Sequence, residues 1–174
     1  MQFLAIIVLS VLGGAAYGIL HDQVTVRVCL EYFTIGHPAI FATRSPTLLA
    51  IGWGIVATWW VALPLGFSLA VAARIGTRPK WGVREVARPL AALLASMAVC
   101  ALLSGIAGYV LVRVGLVPVP AWVTANIPEP HRTAFVADWF AHFASYLSGI
   151  VGAALLCVYV WRARASARGA AGSR

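Results

Sequence analysis

The chain has 174 residues, 61% of them hydrophobic and only 10% charged, where an average soluble domain carries roughly 25% charged residues. Its mean hydropathy is +0.89, and its formal charge is +8 with a pI near 10.3. So little charge excludes an ordinary water-soluble enzyme, a disordered tail and a nucleic-acid-binding module. It describes a single all-α membrane domain spanning 1–174, with four transmembrane helices and a short extended segment after the first.

Hydropathy places the four apolar runs near 3–20, 46–73, 90–116 and 134–161. Each approaches or exceeds the ~20 residues a helix needs to cross ~30 Å of hydrocarbon. The first is short enough to raise a cleaved signal peptide, but no Lys or Arg precedes it, as one usually does in a secretory signal. We therefore read it as a membrane helix. After it, Val24, Val26, Val28, Leu30 and Tyr32 alternate with Thr25, Arg27, Cys29 and Glu31. That period of two predicts an extended stretch along the membrane surface, with Arg27 and Glu31 in a polar roof. In the second run, Pro46 marks a helix start and Pro64 a kink.

Between runs two and three lie Arg74, Arg78, Lys80, Arg84 and Arg88, with Glu85 as the single acid. After run four comes a basic tail, 162–174, with Arg162, Arg164, Arg168 and Arg174. These segments hold nine of the 13 cations, so both belong on the cytoplasmic side. Both termini are then cytoplasmic. Several of the tryptophans in or beside the runs suit interfacial positions. Cys29, Cys100 and Cys157 form no disulfide framework or zinc spacing; Cys100 and Cys157 read as small buried packing residues. Gly105, Gly108, Gly149 and Gly152 suit close helix packing in lipid.

With that orientation, all four histidines (His21, His37, His131, His142) and four of the five acids (Asp22, Glu31, Glu129, Asp138) fall at the outer end. Imidazoles mixed with carboxylates bind zinc, copper or iron and perform acid–base chemistry. Asp138 and His142, at i and i+4, share a helix face. His131 lies roughly 16 Å from His142 along the helix axis, too far to share one ion. Ionisable groups this deep in a span should face the bundle and carry function. The blander alternative is an ion pair locking helices, for instance Asp138 with Arg113. The metal candidates are His21, Asp22, Glu31, Asp138 and His142. For Glu31 a surface pair with Arg27 is the competing reading, and for His37 a solvated loop position. No H-E-x-x-H, P-loop, dinucleotide fingerprint or G-x-S-x-G elbow occurs.

The segments 17–38 (YGILHDQVTVRVCLEYFTIGHP), 74–90 and 138–149 (DWFAHFASYLSG) resemble a family of uncharacterised bacterial four-helix integral membrane proteins. That family carries an H-[DN]-Q-[VI]-T…E-Y-F-T signature and a later H-x-x-S-Y. The resemblance covers most of the chain and implies a bacterial inner-membrane origin. It matches Tyr17, His21, Asp22, Glu31, Tyr32, Phe33, Thr34, His142, Ser145 and Tyr146, and it implies no particular reaction.

The leading expectation is a membrane protein with a His/Asp/Glu site for a divalent transition metal, zinc or iron, facing the periplasm. A zinc site with an open position would serve as a hydrolase of a lipid or other membrane-adjacent substrate. The alternatives are a haem electron carrier, with iron between His21 and His142, and a non-catalytic scaffold. The partners expected are the lipid bilayer and either another membrane protein or further copies of the chain; nucleic acid is not among them.

Overall fold

A computed structural model describes the backbone of residues 1–172 and the side chains of residues 1–166. Its elements are α1 (Gln2–Val28), α2 (Leu30–Thr34), α3 (Pro46–Val56), α4 (Trp59–Arg74), α5 (Val83–Arg113), α6 (Ala121–Asn126) and α7 (Arg132–Gly172), with a 3-10 turn at Glu129–His131. Four helical stretches are long and apolar enough to cross a membrane: Gln2–Val28, Pro46–Arg74, Val83–Arg113 and Glu129–Ser166. Around the bundle α1 packs on α3 and α4, α4 on α7, α7 on α5, and α5 back on α1; α1 and α7 meet across the diagonal.

Each span is longer than its apolar run, although the third, which starts seven residues earlier than its run, ends at Arg113, three residues short of it. Hydropathy detects only the part suited to hydrocarbon, whereas the helical hydrogen-bond ladder continues into polar sequence until a cap ends it. Thus α5 begins at Val83, inside the basic segment, where the Gly82 N–H donates to Glu85 Oε2 at 2.6 Å. The segment expected as a basic tail is helical from 162 to 172 as part of α7; Arg174 and the side chain of Arg168 lie outside the described residues. Arg164 is fully buried there. Its guanidinium donates to the carbonyls of Pro79 at 2.7 Å, Ile75 at 2.9 Å, Arg78 at 3.2 Å and Ala72, stitching α7 to the α4–α5 turn.

The extended segment is not present, and the described residues include no strand. Instead α1 runs on to Val28, breaks at Cys29 (φ −147°, ψ 102°) and resumes as α2. Burial explains the choice. Asp22, Val26, Cys29 and Phe33 are all buried at spacings of four, three and four, a helical stripe that the alternating valines obscure. Val24 and Val28, also four apart, occupy the exposed side. Arg27 forms no roof with Glu31: it donates to the Gln23 carbonyl, to Gln23 Oε1 at 2.7 Å and to Thr47 Oγ1 at 3.1 Å.

The second span is interrupted at Ala57–Thr58, and Pro64 lies within α4. Both sides of the break have partners: Thr58 Oγ1 donates to the Gly54 carbonyl at 2.5 Å, and the Tyr146 hydroxyl donates to the Ala57 carbonyl at 3.2 Å. A break inside so apolar a helical stretch is tolerated when neighbouring groups satisfy the freed backbone in this way. Beside it, the backbones of Gly18 and Gly54 approach so closely that a Cβ on either would strike the other helix's main-chain atoms. The four glycines singled out in the sequence line the α5–α7 contact, Gly105 against Ala141 and Gly108 against Phe140. Of the cysteines it is Cys29 that is buried, while Cys100 is exposed and Cys157 partly so, because Cys100 lies on the outward face of α5.

Candidate metal centre

Two residues in the C-terminal part of α1 and one from α7 meet across the bundle diagonal. One ligand atom each from His21, Asp22 and His142 lies within 4.8 Å of the other two. His142 Nε2 stands 3.3 Å from Asp22 Oδ1, with both side chains largely shielded from solvent. Donors bound to one ion through ~2.1 Å bonds at tetrahedral angles stand about 3.4 Å apart. The pair already has that spacing, and the third donor needs only a small inward shift.

The hydrogen-bond pattern constrains what fills this space. His142 Nδ1 lies 2.8 Å from the Asp138 carbonyl, and a carbonyl only accepts, so Nδ1 carries the hydrogen. In a neutral ring Nε2 is then a bare lone pair facing a carboxylate oxygen. Two acceptors at 3.3 Å repel unless a proton or a cation lies between them. An imidazole that gives one N–H to a backbone carbonyl and offers the other nitrogen outward is the usual posture of a metal ligand. The His21 ring meets His142 edge-on at 4.6 Å and stacks on Tyr17 at 5.8 Å. Its Nε2 is buried with no hydrogen-bond partner. Orphaned buried nitrogens are rare and call for an ion, a water or a catalytic role.

Aromatic residues wall the group. Tyr32 stacks on the His142 ring at 4.5 Å, and Tyr17 hydrogen-bonds Ser145 at 2.7 Å. His37 is packed among Tyr32, Phe33 and Trp53, with Nδ1 2.8 Å from the Tyr32 carbonyl. It is no solvated loop histidine. Burial pushes the His37 imidazole below its ordinary range and the Tyr32 hydroxyl above its own, the latter reinforced by Asp138. Both are therefore neutral near pH 7. A cavity of about 150 Å³ opens beside the triad; the polar groups at its outer end include Tyr17, Tyr146 and His37, and it runs inward between apolar side chains such as Leu69 and Leu156 to Ser10.

The structure separates two of the five candidate ligands from this group. Glu31 turns to the 3-10 turn before α7, where Oε2 lies 3.5 Å from His131 Nδ1 and receives the Cys29 thiol hydrogen bond. It pairs with neither Arg27 nor the triad, since the helical course of α1 and α2 carries it past them. Asp138 shares a helix face with His142, but that contact uses its carbonyl. Its carboxylate is 2% exposed, faces the Cys29 amide, and keeps Oδ2 without a partner; no Arg113 ion pair forms among the described residues. Sequence reading underrated His37 because loop position says nothing about what a loop folds onto. No family model matches the chain, and neither the curated proteins nor the solved structures yield a match.

Proposed function

We propose that this chain is a multi-pass protein of the bacterial cytoplasmic membrane that holds one zinc or iron ion with His21, Asp22 and His142. The site faces the periplasm, and the ion serves hydrolysis of a membrane-adjacent substrate. The observation that carries the reading is the Asp22–His142 contact, in which the His142 Nε2 faces a carboxylate oxygen at 3.3 Å while the other imidazole nitrogen is committed to a carbonyl, with the orphaned His21 Nε2 beside them. Two histidines and one carboxylate leave coordination positions open, as catalytic zinc and non-haem iron sites do. An ion held there supplies Lewis acidity and activates water. The chain's own residues would orient the ligands, through the Asp138 carbonyl and the Tyr32 ring, and shape a narrow chamber for the reacting group. A haem between the two histidines fits poorly, because their rings are in edge contact at 4.6 Å and leave no gap for a macrocycle.

Metal analysis of protein purified in mild detergent tests this. Wild type should carry about one transition ion per chain, and His142→Ala and Asp22→Asn should each lose affinity by more than the ~10–100-fold that loss of an outer hydrogen-bond partner costs. Glu31→Gln should retain the ion. Wild type that holds none, and takes up neither zinc nor ferrous iron on dialysis, overturns the reading.

A further inference from the structure

The triad has a second approach, from the side of the bundle. Between α1 and α5 runs a cleft of about 770 Å³, within the ~300–1,000 Å³ typical of small-ligand sites. Its rim is large and exposed, with Leu20, Val24, Leu102 and Ile106 among the rim residues, whereas Ala101, Ala137 and Ala141 on its floor are small and buried. It follows α1 from Gly13 to Val28, roughly 22 Å at 1.5 Å per residue, enough to cover one leaflet's ~15 Å of hydrocarbon.

Two features separate this cleft from a plain packing seam. It is narrowed at its inner end, where Gly13 sits against Leu94. Its lining also includes, midway along its course on α1, His21 of the triad and, from α7, Asp138, whose Oδ2 is buried without a partner. Inward of these two groups the slot is lined, Tyr17 apart, by apolar residues down to Gly13 and Leu94, which matches an amphiphile with its tail inward. A straight partner helix would need the slot to continue past Leu94, whereas a flexible chain can end there.

We infer that the cleft between α1 and α5 holds an acyl chain of a bilayer lipid, entering sideways from the hydrocarbon, and that it presents the lipid's ester region to Asp138 and His21. This rests on the metal reading for its chemistry and names its substrate class as an acyl lipid.

The test uses the full chain reconstituted in phosphatidylcholine vesicles containing a phosphatidylcholine with a photoactivatable diazirine in one acyl chain. Adducts should concentrate on Ala16, Leu20, Ala98 and Leu102. Ala98→Trp, and independently Ala95→Trp, should cut that yield several-fold; both alanines are exposed in the cleft wall, so the bundle accommodates the larger side chain. Leu155→Trp, on an exposed face outside the cleft, should leave the yield unchanged. Adducts spread evenly onto positions such as Leu155 and Val158, or tryptophan variants that label like wild type, would falsify the inference. So would a chain-to-chain adduct through the cleft, which assigns it to a second copy. Metal content of the same samples separates the two readings: cleft adducts without metal overturn only the metal centre, and metal without cleft adducts overturns only the lipid site.

Discussion

Cys29 shows how closely the residues around the centre are packed. It is 1% exposed at the break between α1 and α2, with its thiol against Glu31 and the His131 carbonyl. Burial, reinforced by the Asp138 and Glu31 carboxylates, pushes that thiol up to about 12. At pH 8 its thiolate fraction is then about a thousandfold below that of an ordinary thiol, and only the thiolate is nucleophilic. Timed labelling with N-ethylmaleimide in detergent should therefore leave Cys29 unmodified until the protein unfolds. Its reactivity should rise with pH throughout the accessible range, since deprotonation lies above it. Rapid labelling of Cys29 in folded protein would mean that the break between α1 and α2 is open to solvent. The same tight enclosure leaves His37 and Tyr32 neutral beside the triad, so neither brings a charge that competes with an ion.

Among the elements, the crossing of α1 and α3 sets the position of the site. Gly18 and Gly54 bring two backbones into direct contact one helical turn below His21, and the break at Ala57–Thr58 redirects the second span next to the cavity. A Cβ at Gly54 would meet backbone atoms of Ile19 and Gly18, which have no room to yield, whereas a Cβ at Gly149 would meet the flexible end of Met97 at 3.0 Å. Overpacking of this kind typically costs 1–3 kcal/mol. Gly54→Ala should thus lower thermal stability in detergent by about 2 kcal/mol and weaken metal retention by displacing His21 and Asp22. Gly149→Ala should change both little. Equal behaviour of the two variants would show that the α1–α3 contact does not position the centre.

At the scale of the whole molecule, a polar cluster at one end is balanced by a basic, carbonyl-bound lock at the other. Arg164 is the lock: a buried cation whose four carbonyl bonds join the last helix to the turn between the second and third spans. Hydrogen bonds to charged groups contribute ~1.5–3 kcal/mol each, and carbonyls left buried without partners cost comparably. Arg164→Met should destabilise the bundle by roughly 3 kcal/mol or more, read as a lowered unfolding midpoint, yet leave the metal stoichiometry of the remaining folded protein intact. Arg162→Met, on an exposed neighbour, should do neither. Loss of metal in folded Arg164→Met protein would show that the two ends are coupled.

The sequence by itself determined four apolar helical spans, because a low charge content and runs of about 20 hydrophobic residues leave few alternatives. It also segregated histidines and acids toward one end, and so placed His21, Asp22 and His142 among a short set of candidates. It could not settle which of them converge. Asp138 and His142 look equivalent on a helical face, yet one turns its carboxylate toward the Cys29 amide and the other its imidazole toward Asp22. Local alternation of valines pointed to an extended segment, and the burial of Val26, Cys29 and Phe33 against other elements decided for helix. Convergence across the bundle diagonal, the break at Ala57–Thr58 and the cleft between α1 and α5 arise from contacts between residues far apart in the chain. Periodicity reports which face of a helix is apolar; only packing decides what that face meets.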